Sequence, residues 1–142
     1  MWFIFRQLLF WIWASPATMF GLFVGVLSMP LGTRWQRSGH TLECHGGPIC
    51  WVLEHLPVPA AAMTLGHVIW GQSPAALDFT RNHERVHVKQ YERWGPIFIP
   101  AYLLASLWLK IRGRKGYWDN PFEREAYEFD RLCQVGECER LA

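Results

Sequence analysis

The chain has 142 residues, of which 51% are hydrophobic and nine are tryptophan, and its formal net charge is +2. A chain of this length can bury the core of one domain, and this composition excludes a disordered protein. The net charge by itself argues neither for nor against nucleic acid. The basic stretch LKIRGRKGYW is too short and too interrupted by glycine to argue for nucleic-acid binding, so we predict no nucleic-acid partner.

The N-terminal part of the chain is strongly apolar. No residue between Arg6 and Arg34 is charged, and this run exceeds the roughly 20 apolar residues that a membrane-spanning helix needs. We therefore predict that residues 1–38 form an apolar helical segment associated with membrane lipid at the inner (cytoplasmic) membrane, and that residues 39–142 form a domain. Arg34 and Arg37 favour a cytoplasmic domain by the positive-inside rule, although Arg6 acts in the opposite direction. The alternative is a pair of buried helices or an interfacial anchor.

Two short strands are predicted next, at residues 41–47 and 61–71. The second alternates side chains along its length and is bounded by Gly71 and Pro74, which is typical of a strand. The residues between the two strands could hold a helical turn or two before the prolines at 57 and 59 end it.

Three helices are predicted in the second half of the chain. The first covers residues 74–94, with Ser73 as N-cap and Gly95 as its end. A second begins near Pro100, is short for a membrane span, and is interpreted as buried or interfacial. A third begins at Pro121. Strands followed by helices indicate an α+β fold.

The helix at residues 74–94 has an inward stripe at helical spacing that includes two histidines and a glutamine. The stripe consists of Phe79, His83, Val86, His87, Gln90, Tyr91 and Trp94.

The stretch HERVH lies on this helix. His83 and His87 are four residues apart, so both imidazoles can reach one metal ion. Glu84 could act as general base on a metal-bound water, whose pKa zinc lowers to about 7. The sequence therefore predicts a Zn²⁺ site and a zinc-dependent hydrolase. The alternatives are a zinc site without catalysis, and a membrane-associated structural protein in which HERVH is an ordinary helix face.

A catalytic zinc site needs a third protein ligand, and no histidine follows HERVH. The ligand must then be a downstream carboxylate. Spacing does not separate Glu123 from Glu125, and Glu123 could instead close a capping box with Asn120. The downstream acids are Glu123, Glu125, Glu128 and Asp130.

HERVH followed by EREA resembles the gluzincins, zinc metallopeptidases of the HExxH…ExxA type. Carried over position by position, the resemblance implies zinc ligands at His83, His87 and Glu123. It also implies that Glu84 is the general base, that the fold is a minimal zincin-like domain, and that the substrate is a peptide or protein. In such peptidases extended substrate adds to the strand before the metal helix, here TLGHVIWG. The chain is also similar to small bacterial membrane-associated proteins with the motif HERVHVxQYERWG, and TLGHVI resembles the pattern T-x-G-x-x-I that precedes HExxHxxQ in small bacterial domains.

The chain departs from the gluzincin pattern at Tyr127, where many such sequences carry an aspartate that orients a ligand histidine. Asp130, one turn later, could replace that aspartate. Tyr127 could stabilise a transition state or simply pack. His67 has no partner motif and is interpreted as structural.

The cysteines form two pairs, and neither has the two-residue gap of a zinc ribbon. The sequence leaves free thiols and one or two disulfides open. The cysteines are Cys44, Cys50, Cys133 and Cys138.

The turn RGRKG, beside Tyr117 and Trp118, could contact anionic lipid headgroups or be a solvated turn.

Overall fold

A computed structural model describes residues 13–136, so the first twelve residues of the predicted apolar segment lie outside the described residues. The described chain has an α+β fold, which confirms the predicted fold class. The helices are α1 (Ser15–Leu27), α2 (Gly47–Glu54), α3 (Pro74–Trp94), α4 (Phe98–Ile111) and α5 (Pro121–Gln134). The strands are β1 (Arg34–Ser38), β2 (Thr41–His45), β3 (Ala62–Leu65) and β4 (Val68–Gly71).

The four strands form one mixed sheet in the order β1-β2-β4-β3. β1 and β2 form an antiparallel hairpin, β2 pairs in parallel with β4, and β4 pairs antiparallel with β3. β1 was not predicted, and the hairpin crosses the predicted boundary between residues 38 and 39. The division into segment and domain stays a prediction, but its first part contributes a strand to the sheet.

The structure corrects the predicted strand at residues 61–71, which is two antiparallel strands joined by a turn at Gly66 and His67. Gly66 has a φ of +64°, a left-handed conformation that glycine adopts without steric cost. All four residues of β4 are buried. A strand that is buried on both faces is apolar throughout, so the change of face at the turn leaves no mark in the hydrophobic pattern.

Helices cover both faces of the sheet. α3 packs on one face, where Leu77 and Val88 join Ala62 and Ile69 in a buried cluster. α1 and α2 pack on the other face. The buried residues on that side are Cys44, Ile49, Leu53, Leu65, Val68 and Trp70.

α1 approaches the sheet through glycines. A Cβ at Gly25 would lie 2.4 Å from the Trp35 ring, and one at Gly21 would lie 3.0 Å from Cβ of Val68. Larger side chains would therefore push α1 away from the sheet. The opposite side of α1 is apolar and exposed. It consists of Met19, Phe20, Phe23, Val26 and Leu27.

α3 begins and ends as predicted. The Ser73 hydroxyl accepts a hydrogen bond from the Ala76 N–H at 3.1 Å, and Gly95, with a φ of +55°, ends the helix.

The predicted inward stripe of α3 is wrong at two positions, because Phe79 is 88% exposed and Trp94 is 40% exposed. Leu77 takes the place of Phe79 as the first buried apolar side chain of the helix. It does so because α3 first contacts the sheet at Gly71, where a Cβ would lie 2.4 Å from Leu77 Cγ.

The described cysteines have different states. Cys44 and Cys50 are free, Cys133 is disulfide-bonded, and Cys138 lies outside the described residues. Burial raises the pKa of the Cys44 thiol to about 12.

One helical run in residues 13–136 is long and apolar enough to cross a membrane. It joins α3 and α4 into 38 residues from Pro74 to Ile111, and 17% of its most apolar window is buried. This run lies in the middle of the chain, whereas the predicted membrane segment is N-terminal. α1 is apolar but shorter than a span. Length and composition do not distinguish such a run from a helix of a globular protein.

We predict that Gly66→Ala destabilises the fold more than Gly113→Ala. Both glycines have positive φ, +64° and +71°, so each alanine costs about 1–2 kcal/mol of backbone strain. A Cβ at Gly66 would also lie 2.1 Å from Thr18 Oγ1, whereas one at Gly113 meets nothing within 4 Å. Overpacking should add about 1–3 kcal/mol at Gly66 only. Denaturant unfolding of both variants measures the difference, and equal losses would contradict this packing of α1.

Candidate metal centre

α3 places two histidines one turn apart on a buried surface. His83 Nε2 lies 3.2 Å from His87 Nε2, and both side chains are buried. The regular i, i+4 spacing of an α-helix produces this arrangement.

α5 adds a carboxylate to the two histidines. Glu123 Oε2 lies 3.1 Å from His83 Nε2, and Glu123 Oε1 lies 3.6 Å from His87 Nε2. The ligand atoms of the three residues all lie within 4.8 Å of one another. Ligands at about 2.0–2.1 Å from a tetrahedral zinc ion lie roughly 3.3–3.4 Å apart. The observed spacings match that value, so His83, His87 and Glu123 could hold a metal ion.

The structure separates the two carboxylates that spacing alone left equivalent. Glu125 Oε2 accepts a hydrogen bond from Gln90 Nε2 at 2.8 Å and is not part of the three-residue group. Glu123 does not close a capping box either, because the Asn120 N–H donates to Tyr117 O at 3.1 Å.

Each histidine has an acceptor on its other ring nitrogen. His83 Nδ1 lies 3.2 Å from Asp130 Oδ2, and His87 Nδ1 lies 2.8 Å from Gln90 Oε1. Donation from both Nδ1 atoms would leave both Nε2 lone pairs free for a metal, the arrangement that ligand histidines usually have. Asp130 thus makes the contact that the sequence analysis expected from a replacement for the aspartate that many gluzincin sequences carry at the position of Tyr127.

Gln90 also connects the two helices. Its amide nitrogen donates to Phe122 O at 3.0 Å and to Glu125 Oε2 at 2.8 Å, which fixes its oxygen toward His87. The sequence predicted that Gln90 faces inward but not that it orients His87. In the sequence, the feature that points to this role is the position of Gln90 three residues after His87 on the same helix.

Aromatic residues of α4 and α5 line the group. Tyr102 donates its hydroxyl hydrogen to Glu123 Oε1 at 2.6 Å. The Tyr127 ring packs edge-on against His83 at 4.6 Å between centroids, and its hydroxyl lies 3.4 Å from that of Tyr117. Sequence reasoning missed Tyr102 because nothing local links α4 to Glu123.

Glu84 lies beside the group and is buried. The Thr64 hydroxyl on β3 lies 2.7 Å from Glu84 Oε2, to which it can donate, and 3.2 Å from Glu84 O. Burial raises the pKa of Glu84, and the charges of His87 and His83 oppose this increase. Thr64 is the threonine of the T-x-G-x-x-I pattern, and its contact with Glu84 was not predicted.

The group holds a proton when no metal is bound. Burial lowers the pKa of His87, but the hydrogen bond and charge of Glu123 and the charge of Glu84 outweigh burial and raise it to about 9. Burial opposes ionisation of Glu123 too, yet the hydrogen bonds from His83 and His87 hold its pKa well below the usual range. A metal cation would replace the proton that His87 carries at neutral pH.

His67 lies outside the group. It is buried on the turn between β3 and β4, and its Nε2 lies 3.1 Å from Glu92 Oε1.

Comparison of the chain with protein-family models, curated proteins and solved structures finds no match.

We predict that Asp130→Asn weakens the binding of a divalent metal ion about 10-fold to 100-fold, because it removes the carboxylate that orients His83 and raises its basicity. Competition with a chromophoric chelator measures the affinity. Glu128→Gln is the matched control, since Glu128 is an exposed acid of α5 that pairs with Arg131. Equal affinities in the two variants would rule out a role for Asp130 in metal binding.

We predict that metal-free protein loses stability as the pH rises from 6.5 to 9. The pKa of His87 is raised from 6.5 to about 9, so its contribution is complete below the unfolded pKa and is lost as the pH rises through the folded pKa. The loss is at most about 3 kcal/mol. Unfolding of chelator-treated protein at the two pH values measures it. His87→Gln should remove most of this loss of stability. If the variant loses as much stability as the wild type over this pH range, other groups cause the loss.

Proposed function

We propose that this protein is a zinc-dependent hydrolase that cleaves peptide bonds, with a site of the gluzincin type. The observation that carries the proposal is the buried group of His83, His87 and Glu123 with Glu84 held beside it by Thr64. A structural zinc site is almost always closed by four protein ligands, whereas a catalytic site has three and keeps the fourth position open for water or substrate. The group offers three ligands and one further carboxylate that is not among them.

The donor set of two imidazoles and one carboxylate suits zinc, which catalytic sites often hold by two histidines and a glutamate. When bound, zinc would supply Lewis acidity toward a carbonyl oxygen and lower the pKa of water to about 7.

Glu84 is the proposed general base. A general base works best when its pKa lies near the operating pH, and burial moves the pKa of Glu84 upward from its usual range. The Thr64 contact at Oε2 restrains the carboxylate. Glu84 Oε1 is then the atom that takes a proton from water and later passes it to the leaving amine.

The sheet edge beside the site supports a peptide substrate. β3 is an edge strand, and the Gln72 N–H donates to Ala61 O at 3.0 Å across its ladder with β4. Hydrogen-bonded pairs alternate along an antiparallel ladder, so the backbone N–H and C=O groups of Ala62 and Thr64 point away from β4. An extended peptide could pair with them as a further strand, which would bring its backbone beside Glu84. The proposed substrate would therefore pair with β3 alone and not with the whole stretch TLGHVIWG, part of which forms β4.

We further propose that the N-terminal apolar segment associates with the inner membrane and that the domain faces the cytoplasm. The supporting observations are the uncharged run between Arg6 and Arg34 and the exposed apolar side of α1.

Glu84→Gln and Glu123→Gln separate catalysis from metal binding. We predict that Glu84→Gln keeps about one zinc per chain and loses hydrolysis of a quenched-peptide library by about 10²–10⁴-fold, the usual contribution of a general base. Glu123→Gln should lose zinc, and activity with it. Elemental analysis of full-length protein prepared without added metal measures zinc, and fluorescence measures cleavage.

Glu125→Gln is the matched control, because Glu125 bonds Gln90 and lies outside the three-residue group. It should keep zinc. Zinc bound equally by wild type and Glu123→Gln would overturn the ligand set. Zinc binding with no cleavage by any form would favour a non-catalytic zinc domain.

A further inference from the structure

α4 has two different faces. One face packs on the domain: the Tyr102 hydroxyl bonds Glu123, and the Asn120 amide donates to Tyr102 O at 3.1 Å and to Ser106 Oγ at 2.8 Å. The other face is apolar and exposed. It consists of Ile99, Leu103, Leu104, Leu107, Trp108 and Ile111, each between 41% and 71% exposed.

We propose that this exposed face of α4, the α4 apolar face, lies in the interfacial layer of a lipid bilayer that carries anionic headgroups. Its test measures the depth of α4 in a bilayer and uses neither metal binding nor catalysis. Soluble proteins rarely expose contiguous apolar patches larger than a few hundred Å², and larger patches mark protein–protein or membrane interaction sites.

Charge identifies lipid as the occupant. Residues 94–118 contain no acidic residue, and four basic residues lie at or just after the C-terminal end of α4: Lys110, Arg112, Arg114 and Lys115. Asp119, the next acid along the chain, lies 3.4 Å from Arg114. Such a cluster complements anionic headgroups. A second copy of the same face would supply no acidic partner for these bases, because residues 94–118 contain none.

Aromatic residues mark the boundary of the face. Trp94, Trp108 and Trp118 are exposed, and the Arg112 guanidinium lies 4.4 Å from the centre of the Trp108 ring. Tryptophan is enriched where bilayer and water meet, and arginine can keep its charge in water while its stem lies along an apolar surface.

Length and tethering favour an interfacial position over a span. α4 has 14 residues, about 21 Å at 1.5 Å per residue, and the hydrocarbon core is about 30 Å thick. The hydrogen bonds of Tyr102 and Ser106 hold its other face to α5. α4 would therefore lie in the membrane plane with the domain above it.

A second apolar surface adjoins the start of α4. Ala14 packs with Tyr91 and Phe98, and a Cβ at Gly95 would lie 2.1 Å from Trp13 Nε1. The residues that immediately precede α1, whose exposed side is also apolar, therefore meet the beginning of α4.

Nitroxide labels on the full-length protein in mixed phosphatidylcholine and phosphatidylglycerol vesicles test the proposal. Cysteines are introduced at Leu104 or Leu107 in a Cys50→Ser background, in which the buried Cys44 thiol stays unreactive. Phe79→Cys is the matched control, because Phe79 is an exposed apolar residue of α3. Mass spectrometry confirms one label per chain.

Collision rates with oxygen and with a water-soluble nickel chelate are then compared, since oxygen concentrates in the bilayer and the chelate is excluded from it. We expect the oxygen-to-nickel ratio at positions 104 and 107 to exceed that at position 79 several-fold. Arg112→Gln with Lys115→Gln should reduce this excess in anionic vesicles. A ratio equal to that at position 79 would place the α4 face in water and overturn the proposal. Exclusion of both reagents together with dipolar coupling between labels would overturn it in favour of a second copy.

Discussion

Four ionisable side chains are buried in one small region, and the packing of α3 against α5 depends on the contacts that His83, His87 and Glu123 make with each other. His83, Glu84, His87 and Glu123 are each less than 10% exposed. Burying such groups costs several kcal/mol each unless they are paired and hydrogen-bonded. Glu123 reaches both histidines across the interface between the helices, so α5 can dock on α3 only in a register that keeps these contacts. The same register brings Asp130 to His83 and Gln90 to the backbone of α5.

The part of the site that lies on one helix was predictable from helical spacing, whereas Glu123 and Asp130 on α5 were suggested only by the gluzincin resemblance. Helical spacing alone puts His83 and His87 on one side of α3. It cannot separate Glu123 from Glu125, because both flank the same face of α5. The distinction comes from α3 and α4: Gln90 binds Glu125, and Tyr102 binds Glu123. These contacts depend on tertiary packing that no local pattern contains.

The fold shows the same limit. The caps of α3 and α5 are local, and their starts at Pro74 and Pro121 follow from Ser73 and Asn120. The missed strand β1 carries two arginines and has no buried residue, so its hydrophobic pattern is weak. It forms because β2 offers an antiparallel partner next in the chain. A pattern of apolar residues therefore predicts the central strands of a sheet better than an edge strand such as β1, which buries no side chain and is held by backbone hydrogen bonds to β2.

Tyr102 links the two proposals physically. Its hydroxyl bonds Glu123 Oε1, while its helix exposes an apolar face on the other side. A helix is about 10–12 Å across with its side chains, so a bilayer in contact with the α4 apolar face would lie about one helix diameter from the metal group. Rotation of α4 about its axis would move Tyr102 away from Glu123 and leave one carboxylate oxygen without its donor. Lipid that fixes the rotation of α4 would therefore also fix the Glu123 carboxylate, which is the proposed metal ligand. The proposed membrane contact and the geometry of the proposed metal ligand would then be two constraints on the same helix.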